Sequence, residues 1–167
     1  MSHPRWKEEI IELGRLGRKR PVRVERYEEL DPEKGLYRLE GTAQMKASKD
    51  FLVARMREAG LEVRFDPVGN IFGRREGRDP AQKAVMTGSH LDSVPAGGMF
   101  DGVVGGGSAL EAIRRMAEEG GVPFRPLEMA VFLGEEGSAF KKGLIGSDVL
   151  VGGSTLEEAW ALRNEEG

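Results

Sequence analysis

The sequence predicts an α/β protein in which helices pack on both faces of a layered, mixed β-sheet. Segments whose apolar residues have helical spacing alternate along the chain with short segments that are alternating or wholly apolar. Glycine, proline and asparagine separate these segments. The chain has 167 residues, of which 39% are hydrophobic, and this is enough for one domain with a core of its own.

Helix signals mark four segments of the chain. Their apolar residues recur every three or four positions, and glycines follow the second and third segments. Ser48 is the predicted N-cap of the second, and Ser154 and Glu157 have the spacing of a capping box at the start of the fourth. These patterns predict helices over residues 6–16, 48–59, 108–119 and 154–164.

Strand signals mark four further segments. The first two are joined by the turn residues Asp66, Pro67, Gly69 and Asn70. The last is a continuous apolar run typical of a buried strand. These patterns predict strands over residues 61–65, 70–74, 84–87 and 127–133, with loops over 21–44, 75–82 and the glycine-rich segment 95–107.

Composition narrows the classes of function and the cellular setting. The net charge of −3 gives no reason to expect a nucleic acid or an acidic membrane surface as partner. A basic cluster near the N-terminus has no interleaved aromatic residues that would stack on bases. The chain lacks cysteine, an apolar leader and a membrane-length apolar stretch, so we predict a cytoplasmic protein without disulfides. The basic cluster consists of Arg15, Arg18, Lys19, Arg20 and Arg23.

Metal binding or catalysis by a histidine of this chain is expected to depend on His90. The chain has two histidines, and His3 lies at the terminus, which leaves His90. In His90-Leu91-Asp92, residues two apart on an extended chain point to the same side. His90 could therefore bind a metal through one ring nitrogen while Asp92 accepts a hydrogen bond from the other. Taken alone, this pattern is more typical of an ordinary strand end.

Three further carboxylates follow a predicted strand or lie in a glycine-rich loop. Asp101 lies in the segment GGMFDG, whose glycines permit a tight turn. Glu135 and Glu136 directly follow the apolar strand, where two adjacent carboxylates repel each other unless a cation is present. One could bind the metal while the other acts as general base on a water molecule. An exposed turn and an exposed acidic pair are the structural alternatives.

The order and spacing of these motifs resemble a known family. The runs TGSHLDSVPAGGMFDGVVGGGSALEAI, VFLGEEGSAFKKGLIGS and GLEVRFDPVGNIFGR are similar to the M20-type metallo-amidohydrolases. Within that family they are most similar to the N-carbamoyl-L-amino-acid hydrolase and allantoate amidohydrolase branch. The resemblance covers the chain from about Thr42 onward and implies a zinc-peptidase-like catalytic domain.

The resemblance implies a role for each residue of the motifs. His90 would bind one metal ion, Asp101 would bridge two ions, and Glu136 would bind the second. Glu135 and Asp92 would be the catalytic pair, Glu135 as general base and Asp92 as the partner of the His90 ring. Two divalent ions are implied, with zinc favoured and manganese, cobalt or nickel compatible with the ligands. The substrate would be a small carbamoyl or ureido acid.

The sequence also departs from the family pattern. Two further histidine ligands, the dimerisation domain and the C-terminal part of the catalytic domain would lie after residue 167. Gly134 and Ala139 replace an asparagine and an arginine. We therefore expect residues 1–167 to be a partial catalytic domain, inactive alone, that self-associates through apolar residues such as Trp160 and Leu162 or pairs with a complementary C-terminal chain. A non-catalytic binding protein derived from the same fold is the alternative.

Nucleotide binding is a second alternative, from a different class. Gly105, Gly106 and Gly107 precede a predicted helix whose N-terminus could hold a phosphate. The dinucleotide fingerprint requires a further glycine where the chain has Leu110. It also gives no role to Glu135 and Glu136. The glycines are better explained by close packing of the loop and the helix.

Overall fold

A computed structural model describes residues 5–18 and 35–164 of the chain. Helices and strands alternate along most of this part, as the sequence predicts. In chain order the elements are α1 (Arg5–Leu16), α2 (Ala43–Glu58), β1 (Glu62–Phe65), β2 (Ile71–Arg75), β3 (Val85–His90), α3 (Val103–Glu118), β4 (Leu127–Phe132), α4 (Ile145–Leu150) and α5 (Leu156–Ala161).

The four strands form one mixed sheet with the order β1-β2-β4-β3. β1 and β2 form an antiparallel hairpin, and β2 also pairs antiparallel with β4. β3 and β4 are parallel, since the intervening α3 forms the crossover that a parallel pair requires. The α/β class and the mixed sheet predicted from the sequence are confirmed.

The core lies between the sheet and its three longest helices. Gly73 and Met129 are cross-strand partners. A Cβ on Gly73 would contact Met56 of α2, while the Met129 side chain lies near Gly106 of α3. The two helices therefore pack on the same face, and α1 packs against both. Leu110 of α3 is completely buried in this core.

The opposite face of the sheet is partly polar. The Arg64 guanidinium stacks 4.0 Å from the centre of the Phe72 ring, and Arg64 forms an ion pair of 3.0 Å with the buried Glu128. Met86, the cross-strand partner of Glu128, is 44% exposed on this face. Helix α4 contacts β4 near its carboxyl end, where Gly146 donates its N–H to the Leu133 carbonyl.

Helix α2 begins earlier than predicted. Thr42 is its N-cap and accepts a hydrogen bond of 3.2 Å from the Met45 N–H. Ser48, the predicted cap, is completely buried within the helix. The prediction was wrong because the residues between Thr42 and Ser48 include good helix formers, so the helix extends back to the preceding capping side chain.

Helix α3 also begins earlier, at Val103, so the predicted loop over 95–107 is wrong in its last five residues. Glycine has low helix propensity, but tertiary packing outweighs it here. A Cβ on Gly105 would lie 2.8 Å from the Ser89 side chain in β3. Gly105 therefore allows close contact of α3 with β3, and the three glycines form helix rather than a loop preceding it.

The C-terminal region differs from the prediction in two ways. The capping box of α5 uses Thr155 and Glu158, one residue later than predicted, and the helix ends at Ala161. The Ser154 hydroxyl instead bonds Asp148 and Lys142. Helix α4 was not predicted, because its six residues are too few to show a helical period. Trp160 is exposed, as expected for an apolar side chain without a covering element.

Some predictions concern residues outside the described ranges. His3, Lys19, Arg20, Arg23 and most of the predicted loop over 21–44 belong to this group. Within residues 5–18 and 35–164, no helix combines the length and apolar character that crossing a bilayer requires.

Candidate metal centre

The parallel strands β3 and β4 bring the candidate residues to one edge of the sheet. His90 is the last residue of β3 and lies opposite Phe132, the last residue of β4. Glu135 and Glu136 follow β4, and Asp101 lies two residues before α3. The carboxyl ends of parallel strands are where open α/β sheets place their sites.

Three candidate ligands converge at this edge. His90, Asp101 and Glu136 each offer one ligand atom, and these atoms lie within 4.8 Å of one another. His90 Nε2 is 3.5 Å from Asp101 Oδ1 and 3.6 Å from Glu135 Oε2. The His90 side chain is 10% exposed and that of Asp101 is 68% exposed, so the group is open to solvent on the Asp101 side.

The two ring nitrogens of His90 face different surroundings. Nε2 faces the carboxylates, whereas Nδ1 lies 3.2 Å from the Asp92 carbonyl oxygen and 3.5 Å from its carboxylate. The Asp92 carboxylate is the largest cause that raises the pKa of His90 to about 9; burial opposes this and Glu135 adds to it. The surroundings of His90 therefore favour a positive charge.

Asp92 connects the histidine to the loop that follows β4. It is 4% exposed, and its Oδ1 and Oδ2 accept hydrogen bonds of 3.2 and 3.0 Å from the Glu135 and Glu136 N–H groups. Burial alone would raise its pKa, but the bonds from His90 and from these two N–H groups outweigh burial and lower it. Asp92 thus stays ionised and holds both sides of the site.

The site is short of positive charge. Burial, and then the charge of Asp101, raise the pKa of Glu136; Glu135 and Asp92 raise it further and only His90 lowers it. One imidazole and several carboxylates within reach of one point form a donor set suited to a divalent ion. The residues present therefore fit the metal that the sequence motifs imply.

Gly102 is required beside Asp101. Its φ is +68°, in the region where a side chain is strained. A Cβ on Gly102 would lie 2.6 Å from the His90 carbonyl oxygen and 2.7 Å from its ring. The glycine lets the Asp101 backbone pass directly over His90, which is how the two candidate ligands meet.

Arg38 is a residue near the site that the sequence analysis missed. Its side chain is completely buried. Nε donates 2.7 Å to the Leu91 carbonyl, and the Arg38 N–H donates 3.1 Å to the Ser93 hydroxyl. Burial lowers its pKa to about 10, although Asp92 and Asp101 oppose this. No local pattern distinguishes Arg38 from the exposed arginines of the chain, so its contacts had to come from the structure.

Comparison with known proteins identifies the family. Residues 70–164 match the family model described as peptidase family M28, and the chain belongs to this family. The M20 placement made from the motifs remains a prediction.

Named relatives include several amidohydrolases. An N-carbamoyl-L-amino acid amidohydrolase of Geobacillus stearothermophilus is 40% identical over 95% of this chain and 36% of its own length. A ureidoglycolate hydrolase of Arabidopsis thaliana is 41% identical over 77% of this chain and 27% of its own. An allantoate amidohydrolase of Bacillus subtilis is 36% identical over 80% of this chain and 32% of its own length.

Solved structures agree with this likeness. A hydantoinase/carbamoylase family amidase from Burkholderia ambifaria superposes with a TM-score of 0.87 at 35% identity, covering 98% of this chain and 37% of that one. The chain thus spans just over a third of the length of the relatives that cover nearly all of it.

Proposed function

We propose that the chain forms the metal-binding part of a hydrolase that cleaves a linear C–N bond in an N-carbamoyl amino acid or a ureido acid. The observation that carries the proposal is the convergence of His90, Asp101 and Glu136 beside Glu135. The printed names of the relatives, which include carbamoyl-amino-acid, allantoate and ureidoglycolate hydrolases, support this substrate class.

Each residue has a role in the proposal. His90, Asp101 and Glu136 would hold divalent metal, zinc in preference. Bound metal would supply Lewis-acid polarisation of the substrate carbonyl and lower the pKa of a water molecule. Glu135, whose carboxylate faces His90 without belonging to the converging ligand group, is the general base that takes the proton from the attacking water.

The proposed reaction balances without further reactants. Water attacks the ureido carbon, the C–N bond to the amino acid breaks, and the proton held by Glu135 passes to the departing nitrogen. The carbamate released decomposes to ammonia and carbon dioxide. Asp92 takes part only indirectly, by orienting His90 and the Glu135–Glu136 backbone.

The scope of the proposal follows from the ligand count. A zinc site in proteins commonly has four ligands, three of them from protein where it is catalytic. His90, Asp101 and Glu136 are too few to give two ions three protein ligands each, so a two-ion site would need ligands beyond these three. We therefore expect this chain alone to bind metal and to show no turnover.

Zinc titration by calorimetry tests the proposal, with the wild-type chain compared with a His90→Ala, Asp101→Ala double variant. An Asp50→Ala variant is the control, because it removes an exposed carboxylate on α2 that pairs with Lys46. We expect saturable binding that the double variant loses and the control keeps. Assays with N-carbamoyl amino acids, allantoate and ureidoglycolate then follow, with and without an added polypeptide that corresponds to the remainder of the relatives.

The outcomes separate the alternatives. Zinc binding by the wild type that is no tighter than that of the double variant overturns the metal-dependent proposal and leaves a non-catalytic derivative of the fold. Zinc binding followed by turnover of the chain alone would contradict the expected need for additional ligands while supporting the reaction class.

A further inference from the structure

The loop that carries Glu135 and Glu136 is held by side chains from other elements. The Leu133 N–H donates 2.9 Å to Asn70 Oδ1, and the Glu135 and Glu136 N–H groups donate to the two oxygens of Asp92. Three of four consecutive backbone N–H groups are thus bound by side chains of other segments. The Asp92 bonds lie at the carboxylate pair itself, whereas Asn70 acts where the loop leaves the sheet.

Asn70 bridges both sides of the loop base. The loop closes when Gly146 N–H donates 2.8 Å to the Leu133 carbonyl. Asn70 accepts from Leu133 on one side, and its Nδ2 donates 2.9 Å to the Gly146 carbonyl on the other. The second Nδ2 hydrogen goes to Asp66 Oδ2 at 2.8 Å. The side chain is completely buried, and both ends of its amide are used.

An amide of this length fits between these groups. Its position must accept from one backbone N–H and donate to one backbone carbonyl at the same time, which neither a carboxylate nor an alkyl group does. The fit leaves no spare space, since a Cβ on Gly146 would lie 1.9 Å from Asn70 Oδ1. Asp66 in turn binds the Asn70 N–H at 2.8 Å, which anchors Asn70 in the turn between β1 and β2.

The loop needs support of this kind because its own backbone is strained. Lys141 and Leu144 have φ values of +56° and +57°, and neither is glycine. Such conformations persist only where the surroundings impose them. Fixing the base at Leu133 and Gly146 restricts where the chain between them can run, and Glu135 and Glu136 lie two and three residues after Leu133.

We infer that Asn70 is a positioning residue for the metal centre, which sets the placement of the Glu135 and Glu136 carboxylates by bridging Leu133 to Gly146. The expected effect of Asn70 on metal binding rests on the proposed function. Its expected effect on the loop does not. Asn70 touches none of the three candidate ligands, and it acts through the backbone between Leu133 and Glu136.

The test compares Asn70→Ala with the wild type in two measurements. Hydrogen exchange followed by NMR on metal-free protein reports the loop directly. We expect exchange of the Leu133, Glu135 and Glu136 amides to rise about tenfold, the effect of losing one net hydrogen bond. Zinc titration by calorimetry reports the site, and we expect an affinity about tenfold lower. Val53→Ala is the control, since it removes buried apolar volume from α2 without touching the loop.

The measurements distinguish positioning from general stability. Val53→Ala should lower the free energy of unfolding while leaving zinc affinity and loop exchange near their wild-type values. Equal loss of zinc affinity in Asn70→Ala and Val53→Ala would overturn the inference. Unchanged amide exchange of the loop in Asn70→Ala would also overturn it. Asn70→Asp, which keeps an acceptor for Leu133 and loses the donor to Gly146, is measured as well and replaces Asn70→Ala if that variant does not fold.

The two proposals fail in different ways. A wild-type chain that binds no zinc refutes the proposed metal function, and the exchange measurement then decides the role of Asn70 on its own. If the wild-type chain binds zinc and both Asn70 variants bind it with the same affinity, the positioning role is refuted and the proposed metal function is not.

Discussion

The helical face of the sheet and the loop edge at its carboxyl end are stabilised in different ways. Between the sheet and helices α1 to α3, apolar side chains such as Leu110 and Met129 are completely buried against one another. At the loop edge, buried polar side chains bind backbone groups of other segments: Arg38 binds Leu91, Asn70 binds Leu133, and Asp92 binds Glu135 and Glu136. The helical face is stabilised by the packing of apolar side chains, and the loop edge is stabilised by directed hydrogen bonds.

This difference predicts how each region responds to substitution. Loss of packing volume lowers the stability of the whole domain, because the core is shared by all of its elements. Loss of one directed hydrogen bond changes the position of a loop and so affects metal binding more than folding. Substitutions in the two regions should therefore separate stability from metal affinity.

The largest effect is expected from Leu110→Ala on α3. The side chain is completely buried, and such truncations lower the free energy of unfolding by about 2–5 kcal/mol. Denaturant unfolding measures this loss. Zinc affinity of the folded variant, measured well below the unfolding transition, should stay near the wild-type value. A large loss of zinc affinity together with a small loss of stability would contradict the separation of the two regions.

Asp92→Asn should produce the converse result. The amide keeps the size of the side chain but presents one oxygen in place of two to the Glu135 and Glu136 N–H groups, and it carries no charge toward His90. We expect zinc affinity to fall about 10–100-fold, as measured by calorimetry. Asp148→Asn, which changes a carboxylate on α4, is the control and should bind zinc as the wild type does. Unchanged affinity in Asp92→Asn would count against the role given to Asp92.

The metal-free protein should lose stability as the pH rises from about 6.5 to about 9. The pKa of His90 is raised from 6.5 in the unfolded chain to about 9 in the folded protein, so the folded state binds more protons within this window. The stabilisation is complete below the lower value and disappears above the higher one. Thermal unfolding measured across this range, with His90→Gln as control, tests the prediction; an equally steep fall in the control would exclude His90 as the cause.

The smallest effect concerns the start of helix α2. Thr42→Ala removes the N-cap bond to Met45 and should lower the free energy of unfolding by about 1 kcal/mol. Ser48→Ala is the matched control, because the buried Ser48 hydroxyl has no hydrogen-bond partner among the described residues. Denaturant unfolding should show little change for Ser48→Ala. A larger loss for Ser48 than for Thr42 would support the cap position predicted from the sequence.

Much of the fold could be predicted because apolar periodicity reflects packing. The strand around Phe72 was identified from its flanking turn residues, the strand around Met129 from its continuous apolar run, and the apolar stripe of α3 from its spacing. The starts of α2 and α3 were not, because a helix can extend to any suitable cap upstream and because close packing against Ser89 makes a run of glycines helical. Helix α4 shows no pattern in six residues.

The candidate site divides in the same way. The sequence by itself determined the chemical types, since His90, Asp101, Glu135 and Glu136 stand at strand ends or in a glycine-rich loop and their spacing carries the family resemblance. Only the tertiary structure decided that Arg38 and Asn70 support the site. Their hydrogen bonds join segments far apart in the chain, Asn70 to Leu133 and Arg38 to Leu91. A polar residue in a turn shows no local sign of such a partner, because the partner is a backbone group that every residue possesses.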